Sequence, residues 1–281
     1  MTALHRLLEG LGLAPACLVV VESTQGSVPR ESGTWMAVFG GAGPVIGTIG
    51  GGHLEWQAIA DARDWLGAAG VGDGAPATRL VRHALGPSLG QCCGGVVQVR
   101  LERVTVADVP ALRQRLAPRL QPLALFGGGH VGHALARVLA PLPFALHWID
   151  SRDGVFPPDM LARGPHGTLC EHSEPVQGAV PTLAAGSLVL VMSFSHAEDL
   201  DIVAACLQRR RTQADLPFIG MIGSRTKWAT FRRRLAERGF SDAELAGVTC
   251  PIGLPGITDK APEVIAVAVA AQLLQITQQP A

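Results

Sequence analysis

Charge of one sign is the first thing this chain lacks. Its 23 basic and 23 acidic residues cancel, and a chain without net charge has no bulk attraction to nucleic acid or anionic lipid. Lysine is nearly missing: Lys227 and Lys260 stand alone among arginines. No apolar run reaches membrane-spanning length, and the N-terminus lacks a charged-then-apolar leader pattern. C-x-x-C is absent, so the cysteines offer neither a structural zinc frame nor a thioredoxin-like pair. Two of them, Cys92 and Cys93, are neighbours, and adjacent cysteines do not easily reach relaxed disulfide geometry. These absences describe a cytoplasmic chain with reduced thiols. Internal repeats, metal-ligand spacing, a Ser/His/Asp order and a catalytic acid–base pair are not found.

What is present is core material for two domains: 281 residues, 48% of them hydrophobic. The fold class expected is α/β, a small N-terminal α+β domain followed by a Rossmann-like domain with a parallel sheet. Residues 1–104 form the first. A short helix through Leu4, Leu7, Leu8 and Leu11 precedes the strand run Ala16–Val21. Residues Ser23–Ser32 read as a polar loop, Trp35–Phe39 and Val45–Ile49 as a hairpin around Gly40–Pro44, and residues 54–66 as a helix. Thr78–Ala84 and Val96–Arg103 add strands. Residues 105–121, with Pro110, Pro118 and an Arg/Leu-rich stretch, read as a helical linker.

From 122 to 281 strand and helix patterns alternate, which argues a parallel sheet covered on both faces. Strands are expected at Pro122–Phe126, Phe144–Asp150, Leu188–Met192 and Phe218–Ile222. The last helix, Glu263–Gln275, is apolar on most faces, which suggests packing in a domain or subunit interface, and the second of these suggests a homodimer. The arginine runs Arg209–Arg211 and Arg232–Arg234 read as solvated helix faces.

Gly127, Gly129 and Gly132 form G-x-G-x-x-G between a strand and a helix, with Asp150 ending the next strand. The chemistry is phosphate binding: the first glycine permits the turn, the second lets a pyrophosphate approach, and the third lets helix and strand pack closely. Helix N-terminal amides supply donors, and Asp150 suits a ribose diol. His130 lies within the turn as a candidate contact. Cys92 and Cys93 precede Gly94-Gly95, whose freed amides favour a thiolate, the form that binds metal or attacks sulfur. A second glycine-rich turn, Gly47–Glu55 with Gly51 and His53, could cradle an anion. Ser193–Asp199 and Gly223–Lys227, with Ser224 and Lys227, follow strands at the sheet edge where such folds bind ligands.

Six segments then occur in order: Glu22–Arg30 (ESTQGSVPR), Gly47–Glu55 (GTIGGGHLE), Gly90–Gly95 (GQCCGG), Phe126–Gly132 (FGGGHVG), Ile222–Lys227 (IGSRTK) and Cys250–Leu254 (CPIGL). Together they resemble the XdhC/CoxI family of xanthine dehydrogenase accessory proteins over nearly the whole chain. The resemblance implies a molybdenum-cofactor (molybdopterin) chaperone with no turnover of its own. Such a chaperone protects the cofactor while a cysteine desulfurase exchanges an oxo ligand for sulfide, and hands it to xanthine dehydrogenase. Family members carry Cys-Gly-Gly with one cysteine, which points to Cys93 as the contact to molybdenum through the cofactor and makes Cys92 the departure. The remaining readings are an NAD(P)-dependent oxidoreductase using Gly127–Gly132 and Asp150, and a nucleotide-sensing regulatory module.

Overall fold

The computed structural model describes residues 2–67, 78–85, 95–163 and 168–278. The chain separates into two compact units, Met1–Ala117 and Pro118–Ala281.

The first unit is built on an antiparallel sheet of β1 (Ala16–Gln25), β2 (Trp35–Phe39), β3 (Val45–Gly47), β4 (Thr78–Ala84) and β5 (Val96–Val104), in the order β3-β2-β1-β5-β4. β1 is covered on both faces, which explains the unbroken apolar run at its start. Cys17, Val19 and Val21 meet α2 (Gly52–Gly67), whose Leu54, Ala58, Ala62 and Trp65 form one helical stripe. Leu18 and Val20 meet α1 (Ala3–Leu11) through Leu7 and Leu11.

Sequence and structure part at Ser23. β1 continues through the expected loop to Gln25, with a register shift between Val21 and Ser23, and Ser23, Thr24 and Gln25 pair with Gln98, Val97 and Val96. The polarity there reflects exposure of the ladder, not its end. The 105–121 segment carries a 3₁₀ turn (Val106–Asp108) and α3 (Val109–Arg115), whose Leu112 is buried beside Leu7 in the first unit's core.

The second unit holds a parallel sheet of β6 (Gln121–Phe126), β7 (Phe144–Asp150), β8 (Leu169–His172), β9 (Leu188–Val191), β10 (Phe218–Met221) and β11 (Val248–Thr249), ordered β11-β10-β9-β6-β7-β8. Helices α4 (His130–Leu139) and α9 (Pro262–Gln278) cover one face. On the other face lie α6 (His196–Gln213), α7 (Arg225–Glu237), α8 (Asp242–Ala246) and the 3₁₀ segment Val176–Thr182; α5 (Pro158–Arg163) precedes β8. The expected α/β class is what the chain adopts. β8 and β11 escaped the sequence because they are short edge strands of mixed polarity.

On the last helix Ala266, Val269 and Leu273 are buried against Leu135 and Leu139 of α4 in the unit's own core, while Val267 is 56% exposed. One expectation needs correction. Arg209 is not solvated. It is 8% exposed and donates to Val180 O (2.7 Å), Leu183 O (2.9 Å) and both oxygens of Asp215, tying α6 to the 3₁₀ segment.

Candidate functional site

Numbered from the first strand of the second unit, the sheet order is 3-2-1-4-5-6, so the chain reverses direction across the sheet between β6 and β9. In open parallel sheets a crevice forms at that reversal, outside the carboxyl ends of the strands. The glycine turn lies there.

Its glycines answer different demands. Gly127 has φ of +127°, and a Cβ on it would collide with the Met192 carbonyl at the end of β9. A Cβ on Gly132 would strike the Gly127 carbonyl oxygen. That oxygen also accepts from Trp148 Nε1 at 2.9 Å. Both glycines are therefore required by the chain's own packing. Around Gly129 there is nothing within 4 Å of an added Cβ. The chain leaves open space over the second glycine of the frame, the one at which a phosphate would approach the backbone.

Gly129 is also the N-cap of α4 and brings no side-chain cap. The first-turn amides of a helix have no intrahelical acceptor and carry partial positive charge. They face a cavity of about 500 Å³ lined by Gly128, Gly129, His130, His133, Arg137 and Arg152, with Glu263 at the head of α9. Arg137, Arg152 and two imidazoles line it beside the uncapped amides, with Glu263 as the carboxylate of the lining and Arg152 already paired to Asp150. His133 packs edge-on to Trp148, with ring centroids 5.1 Å apart.

Asp150 ends β7 within reach of the turn but is almost wholly buried, 1% exposed. It accepts from Gly128 N at 2.5 Å, Arg152 N at 2.8 Å, Arg152 Nε at 2.9 Å and Arg152 Nη2 at 2.9 Å. Burial works to raise its pKa; the Arg152 guanidinium and the two amides overcome it and hold the carboxyl below the ordinary aspartate range. Sequence reasoning missed Arg152, Arg137 and His133. The signal was there for Arg152, a cation two residues beyond the strand-end acid.

Gly51 and His53 lie in the other unit. The glycine turn there does cradle an anion, and the anion is the chain's own Glu55. Its Oε2 accepts from Thr48 Oγ1 (2.5 Å), Ile49 N (3.0 Å) and Gly51 N (3.0 Å). Burial raises this carboxyl, but these donors bring it below the usual glutamate range. The His53 ring leans on Trp56 with centroids 5.5 Å apart. Ser224 caps α7 by accepting from Lys227 N. Lys227 Nζ pairs with Asp199 Oδ2 at 2.6 Å and donates to Ile222 O at 3.1 Å, while Ser193 donates through its amide and hydroxyl to Asp199 Oδ1. Lys227 thus ties α7 to α6 and to the end of β10, while Ser224 caps α7.

Cys92 and Cys93 lie outside the described residues. The strands that flank them meet at Leu85 N–H to Gly95 O (2.8 Å). A Cβ on Gly95 would come within 2.5 Å of Gln25 O and 2.6 Å of Ser27 O, and one on Gly50 within 2.7 Å of Pro29 Cβ. Gly95, Gln25, Ser27, Pro29 and Gly50 therefore lie together at one end of the first sheet. Of the remaining thiols, burial pushes Cys17 and Cys206 up to about 12 and Cys250 to about 11. Among the described residues no group of His, Cys, Asp and Glu is arranged to hold a metal ion, and no helix is long and apolar enough to cross a membrane.

Comparison with known proteins follows this division. A family model described as the XdhC Rossmann domain matches residues 123–273, and one described as the XdhC and CoxI family matches residues 14–73. The uncharacterized protein YqeB of Escherichia coli (strain K12) is 26% identical over 265 residues, 93% of this chain. The chain spans 43% of that relative's length. A crystal structure described as a xanthine dehydrogenase from Bacillus halodurans superposes with a TM-score of 0.77, covering 99% of this chain and 96% of that one. At 20% identity this likeness establishes a shared fold.

Proposed function

The chain belongs to the XdhC family, and from that premise we propose that it is a molybdenum-cofactor chaperone for the maturation of xanthine dehydrogenase. It holds the molybdopterin cofactor, shelters it while a cysteine desulfurase replaces an oxo ligand with sulfide, and delivers it to the enzyme. The supporting observation is the open cradle at Gly129, beside Arg137 and Arg152 at the uncapped head of α4. The cofactor's phosphate, an anion with several acceptor oxygens, fits that donor set. The pterin and molybdenum end calls for a soft donor, and Cys93, next to Gly94-Gly95, supplies it as thiolate.

The oxidoreductase reading is weaker on a specific point. The carboxylate that would grip a ribose diol already accepts from its own Arg152 and Gly128.

Anaerobic co-elution of isolated molybdenum cofactor with wild type, Cys93→Ala and Gly129→Val tests the proposal. Wild type retains the cofactor and both variants lose it, one at each end of the ligand. No retention by wild type rules out the chaperone reading. Retention by Cys93→Ala removes the thiol assignment alone.

A further inference from the structure

Asp150 occupies the place where a nucleotide-binding sheet of this order keeps its ribose acceptor, at the end of the second strand and 22 residues past Gly128. A carboxylate there ordinarily waits for a diol. Here the Arg152 side chain takes up one position on each oxygen, while Gly128 N and Arg152 N take the others. A ribose arriving at Asp150 would find its hydroxyls without acceptors, and an unpaired buried hydroxyl disfavours binding.

Arg152 is also held from the opposite side. Its Cζ lies 4.6 Å from the centroid of Phe194, on the segment that follows β9. Phe194 is otherwise 67% exposed, and its ring attracts the guanidinium that lies over it. Because β6 lies between β7 and β9, the guanidinium reaches across the end of β6, where the glycine turn begins. The neighbouring Ser151 is fastened too, its hydroxyl donating to Glu198 Oε1 at 2.6 Å. The other oxygen of Glu198 is shielded and unpartnered, an anionic group that adds to the hold on Arg152.

We propose that Arg152 is a specificity residue. It closes the nucleoside seat of the glycine-turn cavity, so that the site takes a ligand ending in a phosphate monoester and turns away one whose phosphate continues into a nucleoside. A monoester brings nearly two negative charges to Arg137, Arg152 and the head of α4. A nucleoside-linked phosphate brings fewer charges per phosphate and a ribose that must displace Arg152 from Asp150. The inference rests on the glycine turn being the phosphate seat described above.

Calorimetric titration of the full chain with phenyl phosphate and with NAD+ tests it. Wild type should bind phenyl phosphate more tightly than NAD+, and the reverse order overturns the proposal without any variant. Arg152→Ala, which frees a position on each Asp150 oxygen, should bind NAD+ about tenfold or more tightly than wild type, and Arg152→Gln, which keeps a donor near Asp150, should gain less. Asp150→Asn added to Arg152→Ala should abolish that gain. No gain in either folded Arg152 variant, or weaker NAD+ binding, overturns it. Cofactor co-elution on the same preparations separates the two claims. Cofactor retention without the NAD+ gain removes only the role of Arg152, and the gain without cofactor retention removes only the chaperone.

Discussion

Gly127 and Met192 meet backbone to backbone: the α-carbon that opens the glycine turn lies so close to the Met192 carbonyl that no side chain fits between them. This contact sets the end of β6 against the end of β9 and so shapes the crevice at the reversal of strand order. Gly127→Ala combines a collision with a left-handed φ of +127°, and should destabilise the second unit by about 3 kcal/mol. Gly129→Ala, which meets nothing, should leave stability within about 1 kcal/mol and weaken phosphate binding instead. Urea unfolding and phosphate titration of the two variants check the contrast; equal instability in both would contradict it.

Lys227 and Asp199 form a close pair, with side chains 14% and 3% exposed. Removing one partner strands the other charge, so Lys227→Met should cost about 3 kcal/mol, whereas Asp199→Asn with Lys227→Met should cost less than the two single changes summed. A double-mutant cycle in denaturant measures the coupling, and strict additivity would show that the pair does not act as one unit.

Thiol reactivity should sort the cysteines. A pKa of about 12 for Cys17 and Cys206 leaves about a thousandfold less thiolate than the ordinary value of 9.0, and about 11 for Cys250 about a hundredfold less. Iodoacetamide near pH 8, followed by peptide mass spectrometry, should leave these three unmodified until the protein is unfolded. Rapid native labelling of Cys206 would contradict its burial.

His83 gives the first unit an acid limit. The residue is 7% exposed and its Nε2 has no hydrogen-bond partner. Burial lowers its pKa, against an opposing pull from Asp61 at 3.9 Å. A depressed imidazole pKa means that the unfolded chain takes up the proton first. The contribution to stability is therefore present above the unfolded value of about 6.5 and is lost as pH falls through the lower folded value. His83→Leu should flatten the pH dependence of unfolding between about pH 7 and pH 5. An unchanged slope would assign the acid limit to other groups.

Much of the architecture was legible because period and punctuation agree with it. Ala16–Val21 is unbrokenly apolar because β1 is covered on both faces, and Phe144–Asp150 is a strand in both readings. The segment Ser23–Gln25 was not legible, since polar residues on an exposed ladder look like a loop. Nor was α9, since a helix apolar on several faces looks the same whether it meets a partner or its own α4. At the site, the frame Gly127–Gly132 could be read directly, but the occupant of Asp150 could not.

The sequence by itself determined the two-part organisation, the glycine turn and the acid that ends the next strand, because each depends on residues close together in the chain. It also determined the family, through six short segments in order. Only the tertiary structure decided what those groups face. It filled the Gly47–Glu55 turn with Glu55, spent Lys227 on Asp199, and placed Arg152 between Asp150 and Phe194. The physical reason is that the affinity of a charged group depends on which partners already hold it. Those partners come from strands and helices that sequence spacing alone does not bring together.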